Sequence, residues 1–198
     1  GSGKISYLGA GLMGRIERLD GHWLEAALHG GRVRSDYTGT ISAGTVSTYD
    51  SGNTYYAAHI GIGKTRLLHT GDTLNTYLRY FYSRQDGTNA ELNTGETYDF
   101  DAVASHRMRV GFTFLHREDA SKEIYAGLAY EYEFDGEGAA SVQGLATDSP
   151  ALRGGSTMVE LGYRFIPPDS RLSWHIHMAG WQGTRRGMTG NIQVSWAF

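Results

Sequence analysis

Apolar and polar residues alternate along most of this chain. In the last eight residues, NIQVSWAF, the positions Ile192, Val194, Trp196 and Phe198 alternate with Asn191, Gln193, Ser195 and Ala197. A period of two is the mark of a strand with one apolar and one polar face. In LNTYLRYFYS, Leu74, Thr76, Leu78, Tyr80 and Tyr82 oppose Asn75, Tyr77, Arg79, Phe81 and Ser83. In RMRVGFTFL, Met108, Val110, Phe112 and Phe114 oppose Arg107, Arg109, Gly111 and Thr113. In IYAGLAYEYEF, Ile124, Ala126, Leu128, Tyr130, Tyr132 and Phe134 oppose Glu131 and Glu133. TMVELGYRF sets Val159, Leu161, Tyr163 and Phe165 against Glu160 and Arg164, and LSWHIHM sets Trp174, Ile176 and Met178 against His175 and His177. HWLEAALHG and YAAHIGIG repeat the rhythm with Leu24 and Leu28 against Glu25, and Ile60 and Ile62 against His59. SYLGAGLMGRIE is too Gly-rich for its facing to be read. About nine strands are predicted, each close to the ~9–11 residues that a tilted membrane-spanning strand needs.

The connections alternate short and long. Short ones fall near Asp20-Gly21, Thr70-Gly71-Asp72, Glu118–Ser121 and Pro167-Pro168-Asp169. Long ones, rich in Gly, Ser, Thr, Asn and Asp, are expected over residues 36–52, 86–104 and 135–155, and GTRRGMTG falls on the long side. Bacterial outer-membrane barrels have short turns at one end and long loops at the other.

A soluble sandwich or small barrel also gives period two. Three features favour an antiparallel transmembrane β-barrel. The polar faces mix charges of both signs (Glu25, Arg79, Arg107, Arg109, Glu131, Glu133, Glu160 and Arg164) with Gly and Ala, as a crowded polar lumen would. Aromatic residues gather toward strand ends, where amphipathic rings prefer the membrane–water interface. A closed barrel also satisfies every backbone group in lipid. The composition agrees: 28 Gly and 13 Tyr against 3 Pro in 198 residues suit a single all-β domain with many turns. No run of apolar residues is long enough for a transmembrane helix. A net charge of −3 gives a nucleic-acid partner no electrostatic support, and the absence of Cys excludes disulfides and thiolate metal sites. The first residues lack the basic start and long apolar run of a secretory signal, so the chain is expected to be part of something longer.

At these residues the chain resembles the C-terminal β-domain of autotransporters. GMTGNIQVSWAF resembles the family's last hairpin turn and final strand, and WQGTRRGMTG its last outer turn. YAGLAYEYEFDGEGAASVQGLATDSPALRGGSTMVELGYRF resembles the region just upstream. The likeness spans about residues 100–198, and the first hundred residues match only in strand rhythm. The resemblance implies an outer-membrane translocator of type V secretion in a Gram-negative cell. Such a domain anchors an N-terminal passenger and takes part in its export, with its C-terminus in the periplasm. It implies a barrel-assembly signal at Ile192, Val194, Trp196 and Phe198. Implied partners are outer-membrane lipid, the barrel-assembly machinery, and the passenger with its linker helix. It also implies a twelve-stranded barrel, of which three strands and the linker helix are expected upstream. No cofactor, metal or catalysis is expected. Some family members cut their own passenger with lumenal carboxylates, an activity that maps onto no residue here.

His175 and His177 could bind a metal or act as a base, but no third ligand or orienting carboxylate is evident in the sequence. Asp99, Asp101 and His106 would be the candidates for a surface protease. Glu131 and Glu133, ~6.5–7 Å apart along a strand, could be an acid–base pair, but are expected to meet Arg79, Arg107, Arg109 or Arg164 instead. GIGKT at 61–65 lacks P-loop spacing, and GAGLMG at 9–14 has no helix after it, so neither binds a nucleotide. A stand-alone barrel enzyme acting on lipid or peptide, and a passive pore, are the alternatives to a translocator.

Overall fold

A computed structural model describes residues 2–40, 46–168 and 170–196. It contains thirteen strands: β1 (Ser2–Glu17), β2 (His22–Thr40), β3 (Val46–Leu67), β4 (Thr73–Gln85), β5 (Thr88–Glu91), β6 (Thr97–Phe100), β7 (Val103–Arg117), β8 (Lys122–Glu133), β9 (Ala140–Val142), β10 (Leu145–Ala146), β11 (Gly154–Phe165), β12 (Leu172–Gly183) and β13 (Gly187–Trp196). Nine form one antiparallel sheet in the order β1-β2-β3-β4-β7-β8-β11-β12-β13, curled into a half-barrel. These are the nine strands expected from the alternation. β5, β6, β9 and β10 form a separate small sheet.

The two faces of the large sheet separate as the sequence pattern requires. Leu24, Leu28, Ile60, Ile62, Leu78, Val110, Leu128, Val159, Ile176 and Ile192 all lie exposed on the convex face. The alternate residues Trp23, Glu25, Tyr77, Ala129, Glu131, Glu133, Met158 and Ala179 are buried on the concave face. The apolar run on β8 continues from Ile124 through Phe134. At ~3.3 Å per residue and a ~40° tilt it rises about 25 Å, the height of a membrane-barrel apolar belt. Tyr80, Tyr82, Tyr132 and Phe134 edge the belt at the loop end. Tyr163, Trp174 and Trp196 edge it at the turn end.

Two register rows stabilise the concave face. One runs Trp23, Gly63, Tyr77, Gly111, Ala129, Met158, Trp181. Trp23 and Tyr77 alternate there with Gly63 and Gly111, so these two rings lie over neighbours without a side chain, and Met158 and Trp181 follow beyond Ala129. A Cβ on Gly63 would collide with the Trp23 ring. Trp23, Tyr77, Ala129 and Met158 form the buried apolar cluster, with Trp181 packed against it, and Trp23 donates its indole N–H to Asn75 Oδ1 at 2.8 Å.

The structure differs from expectation at the loop end. The loop expected over 36–52 is instead a continuation of the β2–β3 hairpin, paired through Asp36↔Asp50, Tyr37↔Tyr49 and Thr38↔Thr48 on either side of residues 41–45. Stacking of Tyr37 on Tyr49 at 5.5 Å stabilises this polar extension, as cross-strand aromatic pairs do. The connections at 86–104 and 135–155 contribute β5 and β6, and β9 and β10, to the small sheet. That sheet docks on the tall hairpin through Asn93, which exchanges hydrogen bonds with the Thr48 backbone and donates its side-chain amide to the Val46 carbonyl. Among the described residues β1 and β13 are not paired with each other, which leaves both sheet edges open.

Candidate functional site

The second concave row holds the charge. Arg15, Glu25, Gly61, Arg79, Arg109, Glu131 and Ser156 face one another in register from β1 to β11. Glycine at 61 is what lets the row connect. A Cβ there would come within 2.9 Å of Arg79 Cγ and 3.1 Å of Glu25 Cγ, and without it Glu25 reaches across β3. The Arg79 Nε–H donates to Glu25 Oε1 at 2.6 Å, and Arg15 and His59 lie 3.6 and 3.7 Å from the same carboxylate. Arg109 donates from Nη2 and Nε to Glu131 Oε2 at 2.6 and 2.9 Å. Arg185 and Arg107 approach Glu131 Oε1 at 3.2 and 3.6 Å. Glu25 and Glu131 are each only 3 % exposed, so their ionised forms depend on these partners. Arg79 and Arg109 are directly opposed like charges. Each is flanked by a carboxylate and lies against an aromatic ring, Arg79 at 4.5 Å from Tyr77 and Arg109 at 4.9 Å from Phe81.

Glu133, one pleat toward the loop end, accepts hydrogen bonds from Ser105 Oγ and the backbone N–H groups of His106 and Asp135, and lies 3.5 Å from Arg107. Of the arginines expected near Glu131 and Glu133, the structure brings Arg107 and Arg109. Arg79 belongs to Glu25, and Arg164 lies 3.4 Å from Glu123 near the turn end. Glu160 meets Thr113 at 2.9 Å and His177 at 3.4 Å. His177 therefore does have an orienting carboxylate that the sequence did not reveal. Gly162 leaves room for the Tyr125 ring, which stacks on His177 at 6.0 Å while its hydroxyl pairs with His175 Nε2 at 3.1 Å. Among the described residues, no three His, Asp or Glu side chains are placed to hold a metal ion.

His106 is not drawn to Asp99 or Asp101. It lies on the convex face, bonded through Nδ1 to the Tyr80 hydroxyl at 2.7 Å and packed on Tyr82. GIGKT lies within β3 and GAGLMG within β1. Ile192, Val194 and Trp196 project from the convex side of β13, and Phe198 lies outside the described residues. At the turn end, Asp72 accepts from Thr70 Oγ1 and pairs with His116 Nδ1, both at 2.7 Å, and these bonds hold its carboxyl below the usual aspartate range.

The sequence placed His59 on a polar face without a partner, and Arg15, Glu123 and Arg185 were not singled out by it. Glu123 was legible, since it extends the polar face of β8 by one step beyond Tyr125. Arg15 was hidden in a Gly-rich strand whose facing was unread. Arg185 lies in a turn, where periodicity carries no information.

A sheet with an apolar convex face, a charged concave face, girdles at both ends and turns alternating with long hairpins is a membrane-barrel wall. A family model, the autotransporter beta-domain, matches residues 1–177. The chain belongs to the autotransporter β-domain family. The match enters at β1 and ends at His177 in β12. It thus takes in the first hundred residues, which resembled the family only in rhythm, and leaves out β13, whose sequence carried the resemblance most strongly. Membership of the autotransporter family implies an outer-membrane protein. No curated protein matches the chain.

Proposed function

We propose that this autotransporter domain is the outer-membrane translocator and anchor of a passenger segment N-terminal to it. The observation that carries this is the segregation of faces in a chain of this family: a lipid-compatible belt outside, a paired charge row inside. Open edges at β1 and β13 are untenable in hydrocarbon. The working barrel is therefore read as twelve-stranded, with three further strands bridging those edges. Its lumen is the concave face, and the C-terminus lies on the periplasmic side with the short turns. The assembly machinery reads Ile192, Val194, Trp196 and Phe198, and the domain acts as conduit and anchor without catalysis of its own. The test is an epitope inserted in the full-length protein ahead of the described strands. Its appearance at the cell surface, removable by added protease on intact cells, is the expected result. An epitope retained in the periplasm while the domain sits folded in the outer membrane would overturn the proposal.

A further inference from the structure

The arginines of the concave charge row are paired, but Arg32, Arg34 and Arg66 on the convex face are not, and of these only Arg32 and Arg34 lie side by side at the loop end. Arg32 and Arg34 lie two residues apart on β2, on the face that carries Leu24 and Leu28, and both are exposed. Among the described residues no carboxylate lies within 4.0 Å of either guanidinium, whereas Arg15, Arg79, Arg107, Arg109 and Arg185 each have one. Their height is set by register. Leu12 and Leu28 lie opposite one another in the apolar belt, and Gly30 and Tyr56 follow at its upper edge. The next row is Leu8, Arg32, Thr54, and the one above it Ser6, Arg34, Gly52. The pair thus sits one to two steps above the belt, where headgroups meet the protein.

These residues line a groove of about 710 Å³ that also includes Leu8, Ser6 and Thr54 on the same face. Asp86 is on its wall, but that carboxylate faces Arg84 at 3.9 Å. Lys4, Asp36 and Asp50 form the row beyond. Two guanidinium forks ~6.5–7 Å apart can straddle a phosphate and bind it bidentately. Leu8, level with Arg32, and Leu12 below offer contact to acyl chains, and Ser6 and Thr54 on the same face offer hydrogen-bond partners for sugar hydroxyls. Resting on the outer-membrane reading above, we propose that Arg32 and Arg34 bind the phosphate of a phosphorylated glycolipid in the outer leaflet.

The test uses the full-length protein inserted in phosphatidylcholine vesicles, alone or with a minor fraction of diphosphorylated lipid A or its dephosphorylated form. Flotation is measured first, then the lipid A retained on extraction into mild detergent and its affinity by titration. The wild type is expected to favour the phosphorylated lipid. Arg32→Gln/Arg34→Gln is expected to lose about 10- to 100-fold in affinity. Arg18→Gln/Arg171→Gln, which removes two cations from the turn end, is expected to bind as the wild type does. Equal affinity for both lipid forms in the wild type would overturn the proposal without any variant being needed. Equal binding by wild type and the Arg32/Arg34 variant would also overturn it, as would inorganic phosphate competing at concentrations near those of the lipid, which would mark a soluble-anion site. A protein that floats but shows no phosphate preference sinks this proposal alone. A protein that floats with no vesicle removes the outer-membrane reading and this proposal with it.

Discussion

Replacing Glu131 by Gln isolates the charge row. The amide keeps the shape of the carboxylate but removes the negative charge shared by Arg109 at 2.6 Å, Arg185 at 3.2 Å and Arg107 at 3.6 Å. Only Arg107 then retains a carboxylate, that of Glu133 at 3.5 Å. Glu131 is almost wholly buried, so solvent cannot replace what is lost. Breaking a buried pair in this way costs about 3–5 kcal/mol. The comparator is Glu118→Gln, at a side chain 55 % exposed and 3.9 Å from Lys122, where the loss is at most about 1 kcal/mol. Equilibrium urea unfolding in detergent, followed by tryptophan fluorescence, reads the difference. With m near 2 kcal/mol/M, Glu131→Gln lowers the midpoint by roughly 1.5–2.5 M, and Glu118→Gln by less than about 0.5 M. Equal shifts for the two variants would refute the claim that Glu131 organises a buried network.

The same assay checks three further expectations. Arg109→Ala, which leaves Glu131 with two cations, costs about 2 kcal/mol, while Lys122→Ala at the exposed turn costs under about 1 kcal/mol; identical midpoints would count against the concave pairing. Gly63→Val drives a side chain into the Trp23 ring and costs about 1–3 kcal/mol, while Gly14→Ala, whose Cβ meets nothing within 4 Å, shifts the midpoint little. Because the Asp72 carboxyl titrates below its ordinary range, its contribution is complete above the unfolded aspartate pKa of ~3.9 and fades as pH falls through the lower folded value. Asp72→Asn should therefore weaken the protein at neutral pH and flatten its loss of stability on acidification, and an unchanged pH profile would remove the Thr70–Asp72–His116 staple from the account.

The large sheet was legible because its strands, the Gly-rich β1 apart, keep period two across a boundary between hydrocarbon and a polar interior. Leu128, Ala129, Tyr130 and Glu131 announce their faces by chemistry alone. The tall β2–β3 hairpin was not legible. Above the belt both faces are wet, so Asp36, Tyr37 and Thr38 carry no inside–outside contrast and read as loop. The small sheet was hidden for the same reason, since a four-residue strand such as Thr88–Glu91 offers too few alternations. Within the charge row, residue identity marked which side chains turn inward, but partner choice depended on register and on Gly61. Hence Arg79 reaches Glu25 on β2, a pairing no local pattern encodes.

The most direct test of the account is the environment of alternate residues along β8 in lipid. Residues 1–198 have no cysteine, so single Cys variants at 124–130, made in full-length protein with any upstream Cys replaced by Ser, can each carry a spin label after reconstitution. Ile124, Ala126, Leu128 and Tyr130 are predicted to be accessible to oxygen dissolved in the bilayer and shielded from a water-soluble relaxant, with Tyr125, Gly127 and Ala129 showing the reverse. Alternation in the opposite phase, or none, would contradict a membrane wall with its apolar face outward.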